Sequence, residues 1–215
     1  MGYAGLALYG LLRFGHGRSP AANAVSLQKA LRAYIGVAIT ATALWLWCQT
    51  AQMSGVGLLE VSRSDLIYVL TGTHSGTLAL TRLALLVAAL LLALIHAWQR
   101  PRQQVSHAIL GVALLGTLAG SGHGMMDVGV SGLVHLSGDM LHLLAGAIWV
   151  GALIALLLEL SRAIRTRTMA DVTETHRALS WFSGIGIVVV AVLIFSGLIN
   201  SWFLIGPSRM LRLYH

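Results

Sequence analysis

Five runs of apolar residues, each close to the length needed to cross a bilayer, alternate along the chain with short segments rich in arginine, glycine and serine. A membrane-spanning helix takes about 20 apolar residues to cover roughly 30 Å of hydrocarbon. On that measure Ala30–Met53, Thr77–Trp98, Val105–Gly122, Leu133–Glu159 and Leu179–Leu204 are the predicted spans. Gly2–Leu12 is apolar but only about half as long as a span requires, which predicts a short N-terminal helix, either re-entrant or the tail of a longer one. Leu66–Ser75 reads as a short surface helix ahead of the second span. Trp45, Trp47 and Trp202 fall near span ends, where tryptophan anchors at the interface. The expected fold class is all-α: a polytopic transmembrane helix bundle with five full spans plus a short N-terminal apolar helix, forming a single transmembrane domain over residues 1–215.

Composition narrows the class further. Of 215 residues, 57% are hydrophobic and 10% charged, and the mean hydropathy is +0.80. That excludes an ordinary soluble domain and leaves no length for a separate one. The formal charge of +7 comes without an aromatic-interleaved basic patch, so the expected partner is the lipid bilayer and not nucleic acid. Loops before the first span, between the second and third, and between the fourth and fifth carry ten lysines and arginines. The opposite side carries three, and Arg82 lies within a span. The positive-inside rule puts the ten in the cytoplasm and the His123–Asp127 loop in the periplasm, facing out from a bacterial inner membrane. Cys48 is the only cysteine and makes no intramolecular disulfide. No basic region precedes the N-terminal apolar stretch, so no cleavable signal peptide is expected.

Candidate chemistry concentrates around the start of the fourth span. His135, Asp139 and His142 stand at i, i+4 and i+7 and share one helix face. Measured from Leu133, Asp139 and His142 lie roughly 9 and 14 Å along the helix. At such depth an ionisable group costs several kcal/mol unless it has a partner or a function. Two readings follow: a pathway for a metal ion or proton, or helix glue in which Asp139 bonds a neighbouring helix and His142 is a satisfied core histidine. Arg82 sits at matching depth in the second span, so an Arg82–Asp139 ion pair is expected.

The preceding loop reads His123-Gly-Met125-Met126. Its imidazole and two thioethers suit Cu(I), a soft ion, better than magnesium or calcium. The plainer reading is a turn whose methionines dip into the headgroups. Met53 and His74, on the same side, are candidate accessory ligands, and Asp127 reads as a solvated charge. His16, His96, His107 and His176 read as interfacial, and Trp149 as packing. There is no nucleophile elbow, paired catalytic carboxylates, Walker loop or HExxH motif, so the chain is not expected to be an enzyme.

A faint repeat is also present. Met53-Ser54-Gly55 is followed by His74 in LTGTH, and Phe195-Ser196-Gly197 by His215 in LRLYH. A membrane helix follows the first copy, which hints at a continuation beyond the second.

These residues resemble the CopD family of bacterial inner-membrane copper resistance proteins. The likeness lies in Gly122-His123, in Asp139-x-x-His142 followed by Ala-Gly-Ala-x-Trp149-x-Gly151, in Trp181-Phe182-Ser183, and in Ser196-Gly197-Leu198-Ile199-Asn200. The family usually has arginine before Phe-Ser, where this chain has Trp181. The resemblance implies about eight spans, with a Tyr-Gly-x-Leu-Leu-x-Lys motif opening the next helix, so a truncated member is expected, its missing spans open to supply by another chain. It also implies copper received from a periplasmic carrier of the CopC type and moved across the inner membrane, with His123, Asp139 and His142 the positions that match. The methionines come from the reading of the residues alone.

Three functions follow. The first is an inner-membrane copper-binding protein in copper transport and resistance, with His123, Met125, Met126 and His135 capturing the ion and Asp139 and His142 receiving it. The second is a b-type haem electron-transfer protein, which needs two facing imidazoles on different helices. The third is a structural or sensory membrane subunit.

Overall fold

A computed structural model describes residues 1–14, 21–95, 101–121, 130–166 and 168–205, and among them every regular element is an α-helix. In chain order these are α1 (Gly2–Phe14), α2 (Ala21–Ser54), α3 (Arg63–Gly72), α4 (His74–Ile95), α5 (Pro101–Ala119), α6 (Val130–Thr166) and α7 (Met169–Ile205). Long apolar helices form because each satisfies its own backbone hydrogen bonds, the only open-ended solution in lipid. Their outward faces keep large apolar side chains exposed, among them Val37, Leu91, Leu157, Ile187 and Phe195.

Four helices are long and apolar enough to cross a membrane, over Val25–Ser54, His74–Ile95, Ser131–Thr166 and Asp171–Phe203. The fifth predicted span, Val105–Gly122, corresponds to α5, a 19-residue helix that falls short on composition among the described residues. Gln103, Gln104, His107 and Thr117 lower its hydropathy, yet all four are buried. α5 is polar because protein, not lipid, surrounds that face.

The long helices also outrun their predicted bounds at the arginine-rich end. α2 starts well before Ala30 because its polar first turns have work there: Arg32 donates from Nε and Nη2 to the Ala93 carbonyl at 3.0 and 2.6 Å, and Gln28 Nε2 donates to it at 3.0 Å. That carbonyl lies in the last turn of α4, where helix geometry leaves acceptors unpaired. α3 is the expected short helix, opened by a capping box in which Ser62 and Asp65 bond reciprocally. The Ser62 hydroxyl and amide hold the Asp65 carboxyl below its ordinary range.

The half-length α1 is the hub. It packs against α2, α5 and α6, while α4 joins α2 to α5 and α7 lies along α6. Leu6, Ala7 and Tyr9 of α1 meet Leu31 and Ile35 of α2, Ala89 of α4 and Ala155 of α6 in the main core. Glycine makes the closest crossing possible: a Cβ on Gly5 would fall on the backbone of Ala147 and Gly151, and one on Gly151 on the backbone of Gly5. By contrast a Cβ on Gly36 would meet nothing within 4 Å. Gly5→Ala should therefore destabilise the purified protein by at least about 1–3 kcal/mol through overpacking. Gly36→Ala should be neutral or raise stability by up to about 1 kcal/mol. Thermal unfolding in detergent checks the pair, and equal midpoints would refute the crossing.

Candidate functional site

α7 lies along α6 over most of its length, and the polar residues of both helices meet in one seam. His142 is half-buried, with Nδ1 3.1 Å from the Ser196 hydroxyl. That hydroxyl donates to the Val192 carbonyl at 2.6 Å, the usual bond of a helical serine to the preceding turn. With its one proton committed, Ser196 can only accept from the imidazole, which places the histidine proton on Nδ1. Nε2 is left with a lone pair and makes no hydrogen bond among the described residues.

One turn toward the chain's start, α6 carries Gly138. A Cβ there would stand 2.9 Å from both Asn200 Oδ1 and Ile199 Cγ2, so glycine lets α7 close in. Asn200 Oδ1 is buried with no hydrogen-bond partner among the described residues, an acceptor aimed at the seam and unspent. Another turn on, His135 is buried, 2% exposed, and stacks on Phe203 with ring centroids 4.8 Å apart and planes 7° from parallel. Asp139 stands between the two histidines, half-buried, with no ion pair or hydrogen bond among the described residues.

The expected Arg82–Asp139 ion pair does not form. Arg82 turns to α5, donating from Nε to Thr117 Oγ1 at 3.0 Å and from Nη2 to the Thr117 carbonyl and Ser121 hydroxyl at 2.9 and 3.0 Å. Its guanidinium carbon also lies 5.7 Å from the centre of the Trp45 ring. The last turn of α5 offers unpaired carbonyls and the negative end of the helix dipole, and α4 packs directly on α5. The carboxylate of α6 is left to the seam.

Among the described residues no three His, Cys, Asp or Glu side chains converge closely enough to hold a metal ion. His123, Met125, Met126 and Asp127 lie outside the described residues, as do His16, His96 and His215. His74 is exposed at the start of α4, with Nε2 3.4 Å from the Gly120 carbonyl, and Met53 is exposed near the end of α2. His107, expected at the interface, is instead buried, with the Tyr3 hydroxyl 3.0 Å from its Nδ1. Trp149 packs as expected, its ring 5.0 Å from that of Phe182.

A second polar group, unforeseen in the sequence, ties the arginine-rich ends together. Arg13 of α1 reaches Glu159 of α6 at 2.6 Å and Glu174 of α7 at 2.7 Å. Tyr9 bonds both Arg13 and Glu159, and its ring meets Trp181 edge-on at 5.3 Å. Arg13 ends an apolar run and Glu159 ends a predicted span, so each alone looks like a terminus. A basic and an acidic residue at the same membrane level was the available signal.

Apolar helices long enough to span a bilayer, with imidazole, carboxylate and amide lined up between two of them, define a multi-pass α-helical membrane protein with an interior polar seam. The chain belongs to the copper resistance protein D-like family: residues 1–133 match that family's N-terminal domain. It is 34% identical over 206 residues to copper resistance protein D of Pseudomonas syringae pv. tomato, covering 95% of this chain and 66% of the relative. It is 28% identical over 162 residues to the inner membrane protein YebZ of Escherichia coli, covering 75% of this chain and 53% of the relative. Over 77 residues it is 40% identical to the copper transport protein CutJ of Bacillus subtilis, covering 36% of this chain and 13% of the relative. The chain thus spans less than two thirds of the length of these relatives. No solved structure matches it.

The Arg13 group predicts a clear contrast. The Arg13 and Glu159 side chains are 7% and 5% exposed, so Arg13→Ala strands buried carboxylates and should cost about 3–5 kcal/mol. Arg177 approaches Glu174 at 3.6 Å but is 73% exposed, and Arg177→Ala should cost about 0–1 kcal/mol. Denaturant unfolding in micelles separates the two, and similar losses would show the network to be ordinary surface pairing.

Proposed function

We propose that this protein binds copper as a transported substrate in the bacterial inner membrane, taking it from the periplasmic face into the α6–α7 seam for copper transport and resistance. The observation that carries this reading is the committed Ser196 hydroxyl, which fixes His142 in the tautomer with a bare Nε2. An imidazole oriented through its other nitrogen is the arrangement metal-binding histidines adopt. His135 and Asp139 are the companion ligands on the same helix, and Met53 and His74 accessory ones. His123, Met125 and Met126 form the capture loop, supplied by a periplasmic carrier of the CopC type. The similarity to proteins named for copper resistance and copper transport supports the substrate.

Charge favours the cuprous ion. Two neutral imidazoles and one carboxylate carry a single negative charge, which Cu(I) neutralises, whereas Cu(II) leaves a net positive charge away from water at a large solvation cost. In this reading α5 crosses the membrane with the other four long helices as one transmembrane unit, and the protein is a carrier or binder and not an enzyme.

Copper titration of the purified protein against a competing Cu(I) chelator tests the reading. His142→Ala should abolish one site, and Ser196→Ala, which loosens the tautomer, should weaken it about 10–100-fold. Unchanged stoichiometry and affinity in His142→Ala would remove the proposal.

A further inference from the structure

At the arginine-rich end of the bundle, the carboxyl of Glu159 is bonded through one oxygen only. Its Oε1 accepts from Arg13 Nη1 at 2.6 Å and from the Tyr9 hydroxyl at 3.2 Å. Its Oε2 is buried and makes no hydrogen bond among the described residues. The side chain is 5% exposed and stands about 10 Å inside the end of α6 at Thr166, at 1.5 Å per residue. An ionised carboxylate presents two equivalent acceptors, and leaving either one dry is costly. A carboxylic acid is lopsided: the carbonyl oxygen accepts, and the hydroxyl oxygen carries the proton. Glu159 shows the lopsided pattern.

The charges around it favour one added proton. Arg13 is shared, with Nη1 on Glu159 and Nη2 on Glu174 Oε1 at 2.7 Å. Arg177 approaches the other oxygen of Glu174 at 3.6 Å, but it is 73% exposed and screened by water. Arg162, on the next turn of α6, turns its Nε to Asp171 of α7 at 3.3 Å. Two carboxylates therefore divide one buried guanidinium, and the surplus negative charge is costly away from water. A proton on the deeper carboxyl removes it. Glu174, with a side chain 23% exposed, is the one placed to stay ionised. The titratable and charged groups around Glu159 are thus Tyr9 and Arg13 of α1, Glu174 of α7 and Arg162 of its own helix. From α2 it meets Ser26 and Leu27, which carry no charge.

We infer that Glu159 is a proton-binding site, with the proton held on Oε2 and exchanged through the cleft between α2 and α6. A cavity of about 10 Å³ lies there, lined by Ser26 and Leu27 of α2 and by Ala155, Leu158, Glu159 and Arg162 of α6. That is room for about one water molecule. Uptake forms one O–H bond on Oε2 with a proton passed on by that water, which regains its own from the arginine-rich side. Release reverses the step and leaves the carboxylate charged, with no other bond changed. With the proton on, Arg13 is the ion-pair partner of Glu174 and a hydrogen-bond donor to Glu159. Proton occupancy therefore sets how α1, α6 and α7 are tied together. The site lies roughly 25 Å along α6 from His142, apart from the copper ligands proposed in the seam.

The test is an infrared pH titration of the full chain in nanodiscs without metal, so its outcome is independent of the copper reading. The spectrum of the unaltered protein minus that of Glu159→Gln isolates this carboxyl from Asp139. The difference should contain the carbonyl stretch of a protonated carboxyl at neutral pH, fading as the pH rises. Glu174→Gln removes a neighbouring negative charge and leaves Glu159 in place. In that variant the band should fade at least about one pH unit lower, which carries the test if Glu159→Gln does not fold. A difference spectrum with no protonated-carboxyl band at neutral pH, or a band whose midpoint Glu174→Gln does not move, would overturn the assignment.

Discussion

At Gly5 and Gly151 the backbones of α1 and α6 touch with no side chain between them, and the positions of the other helices follow from that contact. Polar groups carried by α1 (Gly2–Phe14) into the apolar bundle must find partners within the protein. Close crossing supplies dispersion contact along its length, the main source of helix association in lipid. At one end the Tyr3 hydroxyl meets His107, and at the other Arg13 meets Glu159 and Glu174. α1 therefore fixes α5, α6 and α7 relative to one another from the inside.

The polar seam depends on this frame without touching it. α6 presents His135, Gly138 and His142 to α7, which answers with Phe203, Asn200 and Ser196. Small residues set the spacing, and serine sets the imidazole tautomer. Arg82, one helix pair away, is spent on the end of α5, which leaves Asp139 without an ion pair among the described residues. An Arg–Asp pair would have occupied the carboxyl that now faces the seam.

Apolar length made four long helices legible, and i, i+4, i+7 spacing put the histidines and Asp139 on one face of α6. Polarity hid the surroundings of α5, since His107 reads as interfacial until the helix that covers it is known. Helix ends were misplaced where a polar residue continues a helix to reach a neighbour's free carbonyls, as Arg32 does at Ala93. Partner choice was the least legible property. Arg82 and Asp139 agree in depth, but depth says nothing about which side of a helix faces which neighbour. Arg13 and Glu159 were each read as the end of something, although they are one contact.

α6 and α7 are 37 residues each and meet at a junction where Arg162 and Thr166 both bond Asp171. His142 lies roughly 36 Å up α6 from Thr166 at 1.5 Å per residue. Pivoted at that corner, a change of about 3° between the helix axes would widen the gap at the imidazole by about 2 Å, on this same rise per residue. The pair has the proportions of long-handled tweezers, in which slight play at the closed end becomes grip or release at the tips.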